Sequence, residues 1–432
     1  MLKSILEKIK RNRTARNAVW LISGKVIQMC INLLVGLLTA RYLGPSNYGL
    51  INYGGAYTAF FLSFCTLGIN SVLVKEFVDH RGEEGKIIGT SLLLKGIASI
   101  LSAILIVAIV NIVDFGETQT IIVVILCSIG MIFNIFDTFN YWFQSRLESK
   151  VTAICSLIAF SITAVYKVIL LATSKSVIYF AFATSVDYIC IGVLLFCSYK
   201  KHKGGKLQFS WRYGKKLLKS STPFIIPSLM VAIYGQTDKI MLKQIISETE
   251  IGYYSTAVSL CTMWCFVIAA IIDSMYPTIM ESFHRTKEEF DNKNKLLYTI
   301  VFYTCVIVSA VISILAEPIV RILYGTAYLP SVAPLRIVTW YTAFSYLGVA
   351  RNAWIVCNNR QNKLKYVYAA AAISNVFFNL ILIPSMGASG AALASLLAQV
   401  ITTMVVPFFM PSLRENSVMM VEAICLKGIL KR

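Results

Sequence analysis

Ten charged residues lie inside stretches of the sequence that are otherwise strongly apolar. Six are basic and four are acidic: Lys25, Lys95, Lys167, Lys239, Arg336, Arg351, Asp137, Asp187, Asp238 and Asp273. In a hydrocarbon environment each charge costs about 2.5–3.5 kcal/mol, so such a side chain faces a polar cavity, contacts a partner or reaches water. Ammonium groups attract phosphate, and membrane-embedded carboxylates take part in ion and proton pathways. These residues therefore predict the binding of ions and charged head groups.

Position along the apolar stretches divides the basic residues into two groups. Lys167, Arg336 and Arg351 lie near the ends of their stretches, where a long side chain reaches water. Lys25 and Lys95 lie deeper. Two ammonium groups at that depth predict a site for an anionic head group such as phosphate. Pairing of these lysines with aspartates of neighbouring helices is an equally open alternative.

Uncharged polar residues accompany some of these charges at helical spacing. Lys25, Gln28 and Asn32 follow an i, i+3, i+7 pattern and share one helix face, and Asn375 and Asn379 are one turn apart. Polar stripes in apolar helices line a water-filled cavity or join helices through hydrogen bonds. We expect a cavity for the first and seventh apolar stretches and leave both alternatives open for the others.

Motifs for catalysis or metal binding are absent from the sequence. The three histidines (His80, His202 and His284) fall in polar loops, and the 11 cysteines include no CxxC pair. No Walker A, GxSxG or metal-ligand spacing occurs. We therefore expect no enzyme activity, no metal site and no cofactor, apart from possible coupling to H⁺ or Na⁺.

The elements that position these residues are membrane-spanning helices. Apolar residues make up 57% of the 432 residues and charged residues 14%, and the mean hydropathy is +0.70. Soluble proteins contain about 45–50% apolar residues and about 25% charged residues. A span needs about 20 apolar residues. Twelve stretches qualify, at 18–40, 48–72, 87–110, 120–143, 151–172, 176–198, 221–243, 252–276, 296–316, 332–356, 365–384 and 388–411.

The distribution of basic residues predicts the orientation of the spans. Alternate connections and the two terminal segments carry 30 lysines and arginines, whereas the opposite connections carry only Arg41, Lys175, Lys243 and Arg321. By the positive-inside rule both termini are cytoplasmic. The net charge of +19 therefore reflects topology and attraction to anionic lipids, and nucleic acid is not an expected partner.

The chain reads as two halves of six spans each. The predicted organisation is an interfacial amphipathic segment (1–16), a first six-helix bundle (17–199), a basic cytoplasmic linker (200–220), a second six-helix bundle (221–411) and a cytoplasmic tail (412–432). Asn140-Tyr141-Trp142 recurs as Asn352-Ala353-Trp354, 212 residues later. An even number of helices per half implies parallel repeats, and transporters with such repeats place their substrate site between the halves.

Three groups of motifs resemble a known family. ARYLGPSNYG (40–49), TDKIML followed by IGYYSTA (237–242 and 251–257), and RQNK followed by IPSMGASGAALAS (360–363 and 383–395) are similar in sequence and order to the Wzx-type polysaccharide repeat-unit flippases. These are the O-antigen and capsule exporters of the MATE-like MOP superfamily. The resemblance extends over nearly the whole chain, but it does not identify the sugar.

The resemblance implies two six-helix bundles that open alternately to the two sides of a bacterial cytoplasmic membrane. The implied cargo is an oligosaccharide on undecaprenyl diphosphate, moved from the inner to the outer leaflet for O-antigen, capsule or exopolysaccharide synthesis. Implied partners are this substrate, membrane lipids and possible polysaccharide polymerase and chain-length proteins. Rival functions are a MATE-type cation-coupled multidrug antiporter, a membrane scaffold for glycosyltransferases and a membrane glycosyltransferase.

Specific residues are assigned roles within this interpretation. We expect the diphosphate and the cavity to involve Lys25, Lys95, Lys239, Gln28, Asn32, Asn375 and Asn379. Asp238, Asp187 and Asp137 are the candidates for ion coupling. Asp238 lies in the TDKIML motif, where similar flippases carry an acidic residue in span 7.

Overall fold

The computed structural model describes residues 13–202 and 204–427, with side chains from Gln28 onward apart from Cys30. Within these ranges the chain is helical and contains no β-strand, which confirms the predicted all-α class. The predicted interfacial segment lies largely outside the described residues, and the Lys25 side chain lies wholly outside them.

The helices of the first half run from α1 to α8. They are α1 (Arg13–Thr66), α2 (Asn70–Asp79), α3 (Glu84–Val113), α4 (Thr118–Ser128), α5 (Thr138–Ser145), α6 (Ser149–Ala172), α7 (Val177–Lys201) and α8 (Trp211–Ile245). A 3₁₀ segment, Ile129–Asp137, joins α4 to α5.

The helices of the second half are shorter and more often interrupted. They are α9 (Glu248–Thr262), α10 (Cys265–Phe283), α11 (Lys287–Ile314), α12 (Ala316–Leu323), α13 (Val332–Val338), α14 (Tyr341–Ala350), α15 (Asn352–Cys357), α16 (Leu364–Met386), α17 (Ala388–Val400), α18 (Val406–Phe409) and α19 (Pro411–Ile424). A π-helical turn, Ile401–Val405, separates α17 from α18.

The first two predicted spans form one helix with a sharp kink. Gly44 in α1 has φ of 71°, a left-handed conformation that glycine adopts without steric cost, and Pro45 follows it. Pro45 has no N–H to donate to the preceding turn, so the helical hydrogen bonding is interrupted there. The Gly-Pro pair therefore produces the turn that the sequence predicted between these spans.

Ten helical stretches in the described residues are long and apolar enough to cross a membrane. One of them, Ile31–Asp79, covers the second predicted span and part of the first. The tenth predicted span (332–356) consists of three short helices, so it is not counted among the ten. The chain is thus a multi-pass helical membrane protein, whereas twelve spans and cytoplasmic termini stay predictions.

The chain divides into two compact units. Of the described residues, those up to 43 and those between 50 and 232 form the N-terminal unit, and residues 44–49 together with those from 233 onward form the C-terminal unit. The division falls inside α8, later than the predicted linker at 200–220. Residues 44–49, which follow the kink in α1, belong to the C-terminal unit.

The basic linker packs on the N-terminal unit, which explains the later division. The backbone N–H of Gln208 donates to the Gly85 carbonyl at 3.0 Å, and that of Ser210 donates to Thr90 Oγ1 at 3.1 Å. The Tyr213 hydroxyl donates to the buried Glu76 carboxylate at 2.5 Å. These contacts fix the linker and the start of α8 to α2 and α3.

Each unit has a core that contains one tryptophan of the repeated Asn-x-Trp sequence. Trp142 is fully buried among aromatic residues of the N-terminal unit that include Phe139 and Tyr199. Trp354 is 3% exposed in the core of the C-terminal unit, which also contains Tyr298. The repeated tryptophans are therefore core residues in both units.

The segment predicted as a cytoplasmic tail (412–432) contains most of α19. Asn416 Nδ2 donates to the Tyr298 hydroxyl at 2.6 Å, and Lys295 Nζ lies 2.5 Å from Glu422 Oε2. Because Leu413 and Met420 join the core of the C-terminal unit, α19 is a packed element of that unit.

Candidate functional site

A buried carboxylate forms the centre of a polar cluster in the C-terminal unit. Asp238 is only 4% exposed. Its Oδ1 accepts hydrogen bonds from Asn375 Nδ2 at 2.8 Å and Asn379 Nδ2 at 2.6 Å. Its Oδ2 accepts from the Tyr254 hydroxyl and from Ser395 Oγ, both at 2.5 Å. We name these five residues the Asp238 cluster.

Four helices contribute to the Asp238 cluster. Asp238 lies on α8 and Tyr254 on α9, whereas Ser395 lies on α17. Asn375 and Asn379 lie one turn apart on α16, so both amides point in the same direction. Four donors on one carboxylate replace its lost hydration, which makes a buried charge tolerable at this depth.

The Asp238 cluster can also present oxygen atoms to a cation. Rotation of an asparagine amide exchanges its NH₂ for its carbonyl oxygen. The Oδ1 atom of Asn379 has no hydrogen-bond partner among the described residues, so a cation that displaced the hydrogen bonds of its Nδ2 would gain this oxygen as a ligand. Carboxylate, amide and hydroxyl oxygens are the ligands that hard cations prefer. The cluster is therefore chemically suited to hold either a proton or a small hard cation.

A second polar network begins one helical turn before Asp238. The Tyr234 hydroxyl lies 3.0 Å from the Tyr341 hydroxyl and donates to Gln399 Oε1. Gln399 Nε2 donates to Thr403 Oγ1 at 3.1 Å, within the π-helical turn of the last span. π-Helical turns occur frequently at functional sites. Polar contacts thus extend along much of the length of α17.

Arg351 is attached to the same π-helical turn. Its Nη1 donates to the Thr403 carbonyl at 3.3 Å, and the side chain is only 3% exposed. The expectation that Arg351 reaches water from a span end is therefore wrong. Arg336 differs, because it is exposed and its Nε donates to the Ser313 carbonyl at 3.2 Å.

Parts of all three family motifs meet in the C-terminal unit. The Ser46 hydroxyl donates to Glu248 Oε1 at 3.0 Å, and a Cβ atom on Gly49 would lie 1.8 Å from the Glu248 carbonyl oxygen. Glu250 Oε2 accepts from the Ala388 N–H at 2.6 Å, at the start of α17. This N-terminal end of a helix favours a negative charge. The motifs therefore form one packed region, and the Asp238 cluster contains residues of two of them.

The N-terminal unit holds a buried lysine without a carboxylate contact. Lys95 is 1% exposed, and its Nζ donates to Thr138 Oγ1 at 3.1 Å and lies 6.0 Å from the centre of the Tyr141 ring. Asp137 accepts from Asn140 Nδ2 at 3.2 Å. The Asp137 carboxylate attracts the Lys95 ammonium electrostatically, but among the described residues no hydrogen bond or ion pair joins Lys95 to an acid.

A separate cavity in the N-terminal unit contains Asp187. The cavity has a volume of about 190 Å³ and also contains Asn32, Thr163 and Lys167. Sequence position alone had placed Lys167 among the residues that reach water. We name this space the Lys167 cavity.

The structure thus brings together some of the predicted site residues and separates others. Asp238, Asn375 and Asn379 form one cluster, and Asn32 and Asp187 line another site. The four remaining predicted residues with described side chains belong to neither site: Lys95 and Asp137, and the half-buried Gln28 and Lys239.

Sequence reasoning missed the tyrosines of the C-terminal unit. Tyr254 lies within the IGYYSTA motif, 16 residues after Asp238, and this motif is the signal that points to it. Tyr234 precedes Asp238 by one turn, so helical spacing from Asp238 also identifies it. Tyrosine combines an apolar ring with a hydroxyl, and for this reason it does not stand out in an apolar span.

Comparisons with solved structures identify the fold. The lipid II flippase MurJ in an inward closed conformation superposes with a TM-score of 0.76 at 16% identity, covering 95% of this chain and 93% of that chain. An inward-facing multidrug resistance MATE family transporter of the MOP superfamily superposes with a TM-score of 0.71 at 13% identity, covering 93% of this chain and 96% of that chain. A MOP superfamily transporter from Pyrococcus furiosus, described by the reverse polarity of its binding pocket, superposes with a TM-score of 0.63 at 14% identity. The match covers 96% of this chain and 97% of that chain.

Sequence comparisons identify the family. An uncharacterized membrane protein of Methanocaldococcus jannaschii, MJ1068, is 19% identical over 94% of this chain and 85% of its own length. The family model described as polysaccharide biosynthesis protein matches residues 14–283, well over half of the chain. This confirms the family-level resemblance carried by the three motifs. The chain, with its MOP-type fold, belongs to the family of polysaccharide biosynthesis proteins.

Proposed function

We propose that this protein is a flippase that moves an undecaprenyl-diphosphate-linked oligosaccharide repeat unit from the inner to the outer leaflet. The observation that carries the proposal is membership of the polysaccharide biosynthesis family in a chain with a MOP-type fold. The product would enter O-antigen, capsule or exopolysaccharide synthesis. In this proposal the protein is a transporter and not an enzyme, and it resides in a bacterial cytoplasmic membrane with both termini inside.

Lys25 and Lys95 receive the diphosphate in this proposal. Lys95 is supported by its charge, its burial and the absence of a carboxylate contact among the described residues. Thr138 covers the ammonium group in this structure, so the diphosphate would replace the Thr138 hydroxyl as its hydrogen-bond partner. Lys239 takes part at a later stage, and Gln28 and Asn32 contribute polar cavity surface.

The Asp238 cluster is the proposed coupling site. A carboxylate with four side-chain donors would bind a proton or Na⁺ in exchange for some of these hydrogen bonds, so occupancy would change how α8, α9, α16 and α17 are joined. Asp187 and Asp137 are secondary candidates for coupling. No resident cofactor is part of the mechanism, and the proposed partners are the lipid-linked substrate, membrane lipids and polysaccharide polymerase and chain-length proteins.

The alternative function is a cation-coupled multidrug antiporter. The fold similarity to MATE transporters and the buried Asp238 carboxylate favour it. The two functions differ in cargo, since an antiporter takes up a soluble organic cation, whereas the flippase moves an anionic lipid between leaflets.

Leaflet-resolved transfer in proteoliposomes tests the proposal. The probe is a fluorescent undecaprenyl-diphosphate oligosaccharide, measured with and without proton and sodium gradients. We expect transfer that falls at least tenfold in Lys95→Met and stays unchanged in Lys86→Met, a lysine on the same helix whose exposed side chain pairs with Glu83. Absence of transfer together with gradient-driven uptake of an organic cation would establish the antiporter instead.

A further inference from the structure

The Lys167 cavity brings two opposite charges to one space without joining them. Lys167 and Asp187 both line it, on α6 and α7. Asp187 Oδ1 accepts a hydrogen bond from Thr163 Oγ1 at 3.4 Å. Lys167 and Asp187 attract each other electrostatically, but among the described residues no hydrogen bond or ion pair joins them. A polar occupant between the two groups would therefore gain hydrogen bonds from both of them.

Two residues of this cavity correspond in sequence to two residues of the Asp238 cluster. At the 212-residue offset of the repeat, Thr163 and Lys167 correspond to Asn375 and Asn379. In the C-terminal unit these amides bind a carboxylate of their own unit, and the site is filled. In the N-terminal unit the corresponding residues line a cavity, and a lysine replaces the second amide. The carboxylate of this cavity, Asp187, corresponds to Gln399 and not to Asp238.

Size and charge define what fits this cavity. A cavity that holds a single water needs a volume of about 10–15 Å³. The Lys167 cavity has a volume of about 190 Å³, so it holds a group much larger than one water. The Lys167 ammonium repels a free cation, and the Asp187 carboxylate repels a free phosphate. A neutral hydroxylated ring avoids both repulsions, because each hydroxyl donates to a carboxylate and accepts from an ammonium.

The remaining lining has the character of a carbohydrate site. Phe160 and Tyr188 supply aromatic surface for the apolar face of a ring, and Asn32 and Thr184 supply further donors and acceptors. We propose that the Lys167 cavity binds one sugar residue of the cargo, whose hydroxyl groups bridge the ammonium of Lys167 and the carboxylate of Asp187. This inference rests on the proposed flippase function and extends it to recognition of the glycan.

Direct binding of free sugars tests the cavity itself. Saturation-transfer NMR on the protein in nanodiscs would use methyl glucoside, methyl glucuronide and methyl N-acetylglucosaminide as probes. We expect binding of at least one, weakened tenfold or more in both Lys167→Met and Asp187→Asn. The control Lys175→Met removes an exposed lysine from the loop after α6 and leaves binding unchanged. Binding of none of the three, or binding that both substitutions leave intact, would overturn the proposal.

A pair of lipid cargoes separates sugar recognition from diphosphate recognition. The two cargoes are fluorescent undecaprenyl diphosphate with and without its oligosaccharide. We expect Lys167→Met to reduce transfer of the glycosylated cargo at least tenfold, and to change transfer of the bare cargo less than twofold. An equal loss for both cargoes, or a loss for neither, contradicts the inference while the flippase function stands. If wild-type protein transfers neither cargo but binds a methyl glycoside through Lys167, the proposed function fails and the sugar site remains.

Discussion

In the C-terminal unit four donors from three helices enclose the carboxylate of Asp238, whereas in the N-terminal unit Lys167 and Asp187 face a cavity without touching each other. At an offset of 212, Asn375 and Asn379 correspond to Thr163 and Lys167, whereas Asp238 corresponds to Val26 and Asp187 to Gln399. The contrast therefore involves several positions, among them lysine in place of Asn379 and valine in place of Asp238. We call the Asp238 cluster the closed site and the Lys167 cavity the open site.

The largest expected effect on transfer and stability follows from neutralising Asp238. Asp238→Asn turns a charged acceptor into an amide whose NH₂ group faces other donors, so at least one buried hydrogen bond is lost. We expect cation-dependent transfer to fall more than a hundredfold, and the free energy of unfolding to fall by about 3 kcal/mol.

The transfer assay and thermal unfolding in nanodiscs check both parts. Asp273→Asn is the matched control, since Asp273 is an exposed acid of the same unit. Wild-type transfer in Asp238→Asn would remove the Asp238 cluster from the coupling mechanism.

Converting the closed site toward the charge pattern of the open site should have the next largest effect. Asn379→Lys places an ammonium beside Asp238, where it competes with a proton or Na⁺ for the carboxylate. We expect transfer to lose its dependence on either gradient and its rate to fall tenfold or more. The measurement is the transfer rate at several sodium concentrations and pH values. Retained gradient dependence would show that the coupling ion binds elsewhere.

A packing substitution tests the region where the motifs meet. In Gly49→Ala the new Cβ atom would lie 1.8 Å from the Glu248 carbonyl oxygen, so residues 44–49 must move away from α9. We expect about 1–3 kcal/mol of destabilisation, in the range for overpacked sites. Gly36→Ala is the control, because its Cβ would meet no atom within 4 Å. Equal unfolding temperatures for both variants would mean that this close packing is not required.

A milder change removes one donor from Asp238. Tyr254→Phe deletes one of the four hydrogen bonds and leaves the ring in place. We expect a loss of about 1 kcal/mol in unfolding free energy and a decrease of a few fold in transfer. Tyr253→Phe changes the neighbouring tyrosine, which is not in the cluster. A decrease of equal size in this control would point to a general effect on α9.

The smallest expected effect on stability distinguishes the Lys167 cavity from the Asp238 cluster. Lys167→Met removes an ammonium that makes no hydrogen bond to a described side chain, so we expect the free energy of unfolding to change by less than about 0.5 kcal/mol. Thermal unfolding measured beside Asp238→Asn gives the comparison directly. A loss as large as that of Asp238→Asn would mean that Lys167 is a structural residue and that the two sites do not differ in kind.

Part of this site could be predicted from the sequence. Charges in apolar stretches identified Asp238 and Asp187, and helical spacing placed Asn375 and Asn379 on one face. The family resemblance and the all-helical class were also accessible, because motif order and hydropathy are properties of the linear chain.

Other parts depend on packing between helices, which spacing within one helix does not determine. Arg351 lies near a span end in sequence, yet its side chain is buried and donates a hydrogen bond to the π-helical turn. Tyr254 meets Asp238 only because α8 and α9 pack side by side. The division of the chain shifted from the basic linker into α8, since backbone hydrogen bonds from Gln208 and Ser210 hold the linker on the N-terminal unit.

In the 3₁₀ segment Ile129–Asp137 of the fourth span, a change of helix type would couple rotation of the following helix to movement along its axis. A 3₁₀-helix turns 120° and rises about 2.0 Å per residue, whereas an α-helix turns 100° and rises about 1.5 Å. Conversion of these nine residues to α-helix would therefore rotate α5 by about half a turn relative to α4 and draw it in by about 4.5 Å. Thr138, the first residue of α5, would turn with it and leave the Lys95 ammonium without its present partner. A small change of helical pitch in this span thus has the geometry to uncover a buried positive charge.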